Sequence, residues 1–505
     1  MSKVLVGHRI RPEQAHARAG FLTANASPTE PGIRTPIHRA KVQSILATAV
    51  LLLANTATPA QKATRTFFNV LLPTGADPWV YKHTDGTYYT TVTTGSDITL
   101  RRSATLSGLG GGEKRIIWSP PARGPDSQNL WAPELHYLHR KWYLYFAADD
   151  GRNENHRMFV LENDSPDPFQ GRFTSKGMIC APRANRWAID GTVLNLGDKL
   201  YFIWSGWEGA ANDRQNLYIA PLANPYTLGG PRVEISRPTL PWETIGSPHV
   251  NEGPQVVVKG QTINLVYSAG GSWTDDYCLG LLTAGVGSDP LSPSSWKKQN
   301  RPAFRSGGDV FGPGHASFVT SPDGREDWIV FHAARFPGSG WTRSVRAQPF
   351  TWNSDGTPSF GDPAPPNTPI PLPGGEPPHD RYEAEHQKLA GTARSAKHSR
   401  ASQGEKVGFL DSPESSVEFS VEVPQAGKYL LAVRFANGTA KGRTASHGIS
   451  VNGVGSGSIE YPNSGWDNWS NAFRAVDLRM GTNAIRFSKQ DGFAELDCLD
   501  LVPAK

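Results

Sequence analysis

Residues Leu135–Asp149 read LHYLHRKWYLYFAAD, two runs of large apolar residues on either side of a short basic turn. Such alternation around a turn is typical of a β-hairpin. The same order of strand, short polar turn and second strand recurs in four other segments, Trp79–Thr93, Thr192–Gly206, Pro254–Gly270 and Ala316–Ala333. The chain is therefore built on five copies of one β unit.

The spacing of the hairpins leaves room for a four-stranded sheet in each copy. Five such sheets packed around an axis form a five-bladed β-propeller, which buries both faces of every sheet. Two stacked sandwiches are the alternative. The 52 Gly and 41 Pro residues divide the chain into many short elements, and this also favours an all-β fold.

The net charge of the chain excludes one functional class. The 51 Lys and Arg against 46 Asp and Glu give +5, but the first 60 residues hold seven basic and two acidic side chains. The remaining 445 residues are therefore neutral and offer no large electrostatic surface for nucleic acid. Charged residues at 19% and aromatic residues at 10% also exclude disorder, coiled coil and collagen.

The N-terminal 60 residues read as a leader. The apolar run Ile45–Ala54 follows a basic flank and is too short to span a bilayer, so it predicts a secretion signal with cleavage near Ala57 or Ala60. A buried strand or short helix is the alternative for this run. We expect an extracellular protein without a membrane anchor. The three cysteines, Cys180, Cys278 and Cys498, form neither a disulfide framework nor a zinc motif.

One ionisable residue precedes or opens each hairpin in a Gly, Pro or Trp context, at spacings of 57, 56, 62 and 63 residues. These residues are Asp77 (GADPW), Glu134 (WAPEL), Asp190 (AIDGT), Glu252 (NEGPQ) and His315 (GPGHAS). In a propeller such positions converge at one mouth of the channel. Clustered carboxylates acquire different pKa values, as cleavage of a glycosidic bond by an acid and a base requires.

At these motifs the chain resembles glycoside hydrolase family 43, whose members are five-bladed propellers that cleave arabinofuranosides and xylosides with inversion. The resemblance covers roughly residues 69–363. It implies that Asp77 is the general base, Glu252 the general acid, and Asp190 the carboxylate that orients the acid and raises its pKa. No cofactor is required for this chemistry.

The resemblance also implies substrate-binding residues. Glu134 would bind sugar hydroxyls or position the base, with a purely structural role as the alternative. His315 would lie near the axis beside an ion or a water molecule. Arg346 in TRSVRAQPF would bind substrate near the base, or else make a surface pair. Aromatic walls for the sugar are predicted from the following tryptophans, which could instead pack between blades: Trp79, Trp131, Trp204 and Trp207.

General likeness within the family predicts an exo-acting α-L-arabinofuranosidase on arabinan or arabinoxylan of the plant cell wall. A β-xylosidase or an endo-arabinanase on the same scaffold is the nearest alternative. A sugar-binding propeller without catalysis is a third reading, which the three intact carboxylates disfavour. We expect a monomer that binds neither nucleic acid nor membrane.

A second domain follows a proline-rich stretch, Gly361–Pro378, which predicts a stiff extended linker. Beyond it, short strands such as GKYLLAVRFAN and NAIRFSKQ predict a jelly-roll β-sandwich. The expected division is a leader over 1–60, a propeller over 61–362, a linker over 363–380 and the sandwich over 381–505.

The sandwich resembles carbohydrate-binding modules of family 35 or family 6, through YEAEH, GTNAIRF and LDCLDL. The likeness implies that Glu383, Glu385 and Asp497 hold a structural calcium ion, whose oxygen preference they suit. Tyr461, Trp466 and Trp469 would stack on sugar rings, with packing in the core or in loops as the alternative.

Overall fold

The computed structural model describes residues 62–180 and 185–504, so the predicted secretion signal lies outside the described residues. Within these ranges all regular structure is β-strand and short 3₁₀ helix, which confirms the all-β prediction. The 3₁₀ helices are Leu109–Gly111, Asn153–Asn155, Pro293–Ser295, Ala384–His386 and Ala440–Gly442. In this part of the chain no helix has the length and apolarity needed to cross a bilayer.

The strands of the N-terminal region follow the order of the repeats. Two short strands come first, β1 (Lys62–Thr64) and β2 (Thr66–Phe68). Two four-stranded sheets follow, made of β3 (Trp79–Lys82), β4 (Tyr88–Thr91), β5 (Ile98–Ser103) and β6 (Glu113–Trp118), then β7 (Gln128–Leu138), β8 (Lys141–Asp149), β9 (Arg157–Asn163) and β10 (Thr174–Ile179). The next two repeats contain β11 (Ala188–Leu196), β12 (Lys199–Trp207), β13 (Arg214–Asn224), β14 (Thr227–Leu228), β15 (Val233–Ser236), β16 (His249–Lys259), β17 (Thr262–Ala269), β18 (Cys278–Gly285) and β19 (Lys297–Lys298). The last repeat contains β20 (Phe311–Thr320), β21 (Asp327–Ala334), β22 (Arg343–Trp352) and β23 (Pro358–Ser359).

All five predicted hairpins are present, but they do not form five separate sheets. Strands β11 to β19 make one nine-stranded sheet, because β13 and β16 pair in parallel over Arg214 with His249 and Gln215 with Val250. The described residues from 79 to 359 thus fall into four sheets. Apolar side chains pack between neighbouring repeats, as the Tyr145 and Phe202 rings do at 5.3 Å.

A β-bulge interrupts the inner strand of four repeats at its start. The residue inside each bulge has a left-handed backbone, and the residue two positions before β3 has the same conformation. These five residues are Asp77, Ala132, Asp190, Gly253 and His315, with φ between 43° and 56°. Bulges bend a strand and redirect its side chains, and they are frequent beside active sites.

The bulges show where each of the five predicted ionisable residues lies along its strand. Asp77, Asp190 and His315 occupy equivalent positions, whereas Glu252 lies one residue before its bulge residue and Glu134 lies two residues after. A shift of one residue along a strand reverses the face to which a side chain points unless a bulge compensates. The similar spacing of the five motifs therefore does not reveal that their ionisable residues take three different positions relative to the bulge.

The C-terminal region contains two sheets around one core. Its strands, with the proline-rich strand that precedes them, are β24 (Pro369–Pro371), β25 (His379–Glu383), β26 (Lys388–Ala390), β27 (Arg394–Lys397), β28 (Glu405–Gly408), β29 (Ser416–Val423), β30 (Gly427–Asn437), β31 (Ala445–Val451), β32 (Val454–Tyr461), β33 (Gly465–Leu478), β34 (Gly481–Asp491) and β35 (Glu495–Pro503). Strands β26, β29, β34, β31 and β32 form one sheet, and β1 joins the other by pairing with β25. Phe419 and Phe487 of the first sheet share a buried core with Leu431 and Val433 of the second.

The proline-rich stretch contains one short strand and is bound to the rest of the chain. Its strand β24 pairs with β2. The buried carboxylate of Glu376 accepts hydrogen bonds from the backbone N–H groups of Leu106 (2.6 Å) and Ser107 (3.2 Å). The stretch is therefore a fixed strap between the two regions.

Candidate active site

The inner strands bring Asp77 together with two histidines and an arginine. Its Oδ1 lies 3.3 Å from His315 Nδ1 and 3.5 Å from Arg343 Nη1, and its Oδ2 accepts a 2.6 Å hydrogen bond from Thr93 Oγ1. Burial alone would raise the pKa of Asp77, but its interactions with His315, His332 and Arg343 outweigh burial and hold the pKa well below the usual value. Asp77 is therefore expected to be an ionised carboxylate at neutral pH.

The neutral ring of His332 accepts a hydrogen bond from the backbone of Asp77. The backbone N–H of Asp77 donates to His332 Nδ1 at 2.9 Å, so we assign the ring proton to Nε2. Burial and the nearby Arg343 charge lower the pKa of His332 to about 3. This hydrogen bond fixes the left-handed backbone of Asp77.

Asp190 and Glu252 form the second half of the site. Asp190 Oδ2 accepts a 3.0 Å hydrogen bond from the N–H of Gly253 and lies 3.8 Å from His315 Nδ1. Burial and the neighbouring charges of Glu252 and Asp77 raise the pKa of Asp190 well above its usual value. This hydrogen bond links Asp190 to Glu252, because Gly253 is the next residue in the chain.

Glu252 is suited to hold a proton near neutrality. Its Oε1 accepts a 2.8 Å hydrogen bond from the hydroxyl of Tyr277, and the side chain is buried. Burial is the main cause that raises the pKa of Glu252 to about 7, and the Tyr277 hydroxyl and the Arg343 charge limit the rise. A protonated Glu252 near an ionised Asp77 gives the acid and the base that glycoside hydrolysis needs.

Four residues of this site were missed by the sequence analysis: Thr93, Tyr277, His332 and Arg343. They lie on second or third strands or in loops, outside the five motifs. Only Arg343 had a sequence signal, since it is the second residue of the TRSVR segment that also contains Arg346.

Glu134 is buried beside the other carboxylates. Its Oε1 accepts a hydrogen bond from Gln255 Nε2, and its Oε2 lies 2.8 Å from His136 Nε2. The negative charge of Glu134 contributes to the raised pKa of Asp190. Both oxygens thus have partners within the protein, which favours the structural alternative over direct sugar binding.

The structure does not bring Arg346 to the carboxylates. Arg346 is 4% exposed and lines a cavity that residues of the C-terminal region also line. The arginine beside Asp77 is Arg343, three residues earlier. The prediction that Arg346 lies near the base is therefore wrong. Side chains alternate between the two faces of β22, so Arg343 and Arg346 have different surroundings.

The four predicted tryptophans divide into two groups. Trp204 and Trp207 are each 4% exposed and pack in the core between repeats, with Trp207 stacked on Trp187 at 4.8 Å, so they are not available as sugar walls. Trp79 and Trp131 remain half-buried. Trp79 Nε1 donates to the Leu135 carbonyl at 2.8 Å, and Trp131 stacks on His156 at 3.9 Å.

In the C-terminal region, the prediction of three stacking aromatics has to be corrected for two of them. Tyr461 is fully buried beside Phe435 and His447, and Trp469 is 1% exposed, so neither ring can meet a sugar. Trp466 is 40% exposed. It lines a cavity of about 280 Å³ together with Phe409, Leu410, Asp411, Phe493, Ala494 and Glu495.

The residues predicted to hold calcium lie near one another. Ser402 donates from its hydroxyl to both Glu383 and Asp497, and Arg434 forms a buried ion pair with Asp497. Burial and the charges of Glu383 and Asp497 raise the pKa of Glu385 to about 7. Among the described residues no group of three or more His, Cys, Asp and Glu side chains is arranged to hold a metal, so the calcium prediction is not supported. The guanidinium of Arg434 already neutralises Asp497.

An all-β repeat domain that brings Asp77, Asp190 and Glu252 together, joined to a second β domain, is the arrangement of a glycoside hydrolase with an appended module. The chain belongs to glycosyl hydrolases family 43, whose model matches residues 67–358. Residues 380–504 match carbohydrate binding module family 35. The family resemblances predicted from the motifs are thus confirmed, with family 35 chosen over family 6.

Individual relatives agree with this assignment. An extracellular exo-α-(1→5)-L-arabinofuranosidase of Streptomyces avermitilis is 40% identical over 335 residues, which cover 63% of this chain and 69% of the relative. An α-L-arabinofuranosidase 43 of Humicola insolens is 40% identical over 59% of this chain and 64% of its own length. The crystal structure of an α-L-arabinofuranosidase from Lactobacillus brevis superposes with a TM-score of 0.57 at 39% identity, covering 60% of this chain and 98% of that one.

Proposed function

We propose that the protein is a secreted α-L-arabinofuranosidase that removes terminal arabinofuranosyl residues from arabinan or arabinoxylan with inversion. The observation that carries the proposal is the meeting of Asp77, Asp190 and Glu252 in one site, where the pKa of Asp77 is lowered and that of Glu252 is raised. The relatives named as exo-acting arabinofuranosidases supply the substrate class.

Each carboxyl group has one task in this mechanism. Glu252 gives its proton to the glycosidic oxygen as the bond to the anomeric carbon breaks. Asp77 takes a proton from the water molecule that attacks the same carbon from the opposite face, and inversion requires the two carboxyls to be roughly 6.5–9.5 Å apart. Asp190 holds the N–H of Gly253 and thereby orients the acid. The reaction needs no cofactor.

We also propose that the catalytic domain has five blades. Five left-handed residues begin the five inner strands, which supports one blade for each hairpin. His315 would then lie near the axis, in contact with both Asp77 and Asp190, and Trp79 and Trp131 remain available for the sugar.

The module would tether the enzyme to polysaccharide through the cavity at Trp466. The half-exposed indole of Trp466 offers a flat apolar face on which a sugar ring can stack. The neighbouring Phe409 and Phe493 rings each carry a cation, with Arg394 at 3.5 Å and Lys489 at 4.2 Å from the ring centroids. Asp411 and Glu495 in the same wall supply hydrogen-bond acceptors for hydroxyl groups.

The catalytic proposal is tested on linear arabinan, arabinoxylan and nitrophenyl xyloside, with the released sugar and its first-formed anomer identified by NMR. We expect arabinose of inverted configuration from the wild type and a loss of at least about 1,000-fold in kcat for Glu252→Gln. The exposed Glu460→Gln serves as a matched control with full activity. Release of xylose or of oligosaccharides would contradict the assignment of terminal arabinofuranosyl residues as the substrate. Retention of configuration would contradict the inverting mechanism.

The module is tested separately by affinity electrophoresis in gels that contain arabinan or arabinoxylan. Trp466→Ala should abolish the retardation, whereas Met480→Ala, an equally simple truncation at another exposed site of the module, should not. Equal retardation of both variants would remove Trp466 from the binding site.

Secretion is tested by mass spectrometry of the protein recovered from the culture medium. We expect an N-terminus near residue 58 or 61. An N-terminus upstream of Lys41 would contradict the assignment of Ile45–Ala54 as a cleaved signal.

A further inference from the structure

Two exposed tryptophans lie side by side on loops that the proposed mechanism does not use. Trp273 is 36% exposed and Trp341 is 68% exposed, and their ring centroids are 6.3 Å apart at an angle of 75°. Indole side chains are mostly buried in folded proteins, and neighbouring exposed aromatic rings mark interaction sites. Trp273 and Trp341 are called the indole pair below.

A short series of contacts connects the indole pair to the proposed base. Trp341 Nε1 donates to Ser272 Oγ at 3.1 Å, and the carbonyl of the same serine accepts a 2.6 Å hydrogen bond from Arg343 Nη2. The other terminal nitrogen of Arg343 lies 3.5 Å from Asp77 Oδ1. The indole pair therefore lies at the edge of the site, next to the arginine that faces Asp77.

The loop that carries Trp273 also carries the partner of the proposed acid. This loop, residues 270–277, connects β17 to β18, and Tyr277 at its end donates to Glu252 at 2.8 Å. The glycosidic oxygen that takes a proton from Glu252 stays with the leaving group, so the leaving group lies beside the acid. One loop thus leads from the acid to the exposed Trp273.

Both indoles are held in place by their own loops. A Cβ on Gly271 would lie 2.7 Å from the Trp273 ring, so this ring packs directly on glycine backbone. The loop of Trp341 is fixed where the N–H of Gly338 donates to both carboxylate oxygens of Asp275, each at 2.9 Å. Rings that are already fixed lose little conformational entropy when a ligand stacks on them.

The position of the carboxylates limits which part of a substrate can reach the indole pair. Asp190 and Glu252 are buried, so the terminal sugar has to enter the interior for its bond to be cleaved. The remainder of the substrate then extends toward solvent past the edge of the site. Exposed indoles at that edge offer flat apolar faces to the C–H groups of a sugar ring.

We infer, on the basis of the proposed arabinofuranosidase function, that the indole pair binds the sugar unit of the leaving group that adjoins the cleaved bond. In arabinan this unit is an arabinofuranose, and in arabinoxylan it is a xylopyranose. Both are neutral pentoses that present C–H groups to an aromatic face. Trp341 would supply the more exposed face, and Trp273 the second wall at an angle to it.

The test compares α-1,5-linked arabinotriose, arabinosyl xylotriose and methyl α-L-arabinofuranoside, whose leaving group contains no ring. We expect Trp341→Ala to lower kcat/KM by about tenfold or more on at least one oligosaccharide, and by less than about twofold on the methyl glycoside. The oligosaccharide that is affected identifies the sugar unit. The matched control is Ile116→Ala, a truncation of a side chain 57% exposed on β6, which should leave all three values unchanged.

The loss on the oligosaccharide should appear in KM rather than in kcat. Stacking away from the reacting atoms binds the ground state and the transition state alike. Equal losses on all three substrates would show that Trp341 only supports the structure of the site, and no loss on any of them would show that it does not meet the substrate. Either result would overturn the inference and leave the arabinofuranosidase activity standing. A wild-type protein that cleaves none of the three would contradict the proposed function, and the inference with it.

Discussion

At the scale of single residues, one hydroxyl group limits the rise in the pKa of Glu252 that burial causes. Tyr277 donates to Glu252 Oε1 at 2.8 Å and thereby favours the ionised form of the carboxyl. The tyrosine ring is fixed by stacking on His332 at 5.7 Å, so removal of the hydroxyl alone should leave the ring in place. Tyr277 is thus a positioning residue whose effect can be separated from its packing.

We expect Tyr277→Phe to raise the pKa of Glu252 above about 7, because the carboxylate loses a hydrogen bond that stabilises its charge. Activity requires protonated Glu252, so the descending limb of the kcat/KM profile at high pH should move upward by about one pH unit. The profile of wild type and variant on a nitrophenyl arabinofuranoside measures this shift. A limb that stays in place or moves downward would contradict the assignment of Glu252 as the acid.

At the scale of the secondary structure elements, the hairpins could be predicted and the bulges could not. Alternation of side chains and the basic turn predicted β7 and β8, and His139 and Arg140 both take the left-handed conformation that a type I′ turn requires. A bulge depends on how a strand meets its partner, which no local pattern encodes. The sequence therefore identified Glu252 and Glu134 as site residues but did not predict their positions relative to the bulges.

The same reasoning explains the misplaced aromatic and basic residues. Tyr461 and Trp469 were predicted from residue type and Arg346 from the family resemblance, and all three side chains are buried. Residue type predicts what a side chain can bind, whereas exposure is decided by tertiary packing. The carboxylates were easier to predict because five repeats placed them in one neighbourhood.

Gly253 links the bulge of β16 to catalysis. Its φ is +52°, its N–H donates to Asp190, and an added Cβ would lie 3.1 Å from His315 Nδ1 and 3.2 Å from Ser268 Oγ. Gly253→Ala should lower the free energy of unfolding by about 1 kcal/mol from backbone strain and should also reduce kcat by roughly tenfold or more, as Asp190 and Glu252 shift.

The matched control is Gly197→Ala in the β11–β12 turn. Gly197 has φ +63° and nothing within 4 Å of an added Cβ. It should lose similar stability in urea unfolding and keep its activity. Equal losses of activity in both variants would show that strain alone, and not the contact with His315, affects the site.

At the scale of the whole molecule, the catalytic domain and the module share backbone structure as well as side-chain contacts. Strand β1 pairs with β25, the strap strand β24 pairs with β2, and Arg434 of the module lies 4.0 Å above the Phe68 ring. Elements that exchange strands in this way cannot separate without breaking sheets. We therefore expect a single calorimetric unfolding transition for the two domains.

Asn471 is the most direct test of this coupling. Its Nδ2 donates to the carbonyls of Phe68 (2.6 Å) and Val70 (3.1 Å), and all three groups are buried at the domain contact. Asn471→Leu leaves two buried carbonyls without a donor and should lower the free energy of unfolding by about 2–4 kcal/mol. Differential scanning calorimetry should show the single transition moved to lower temperature or split in two, while the exposed Asn353→Ala leaves it unchanged. Two resolved transitions in the wild type would contradict the coupling, since each domain would then unfold without the other.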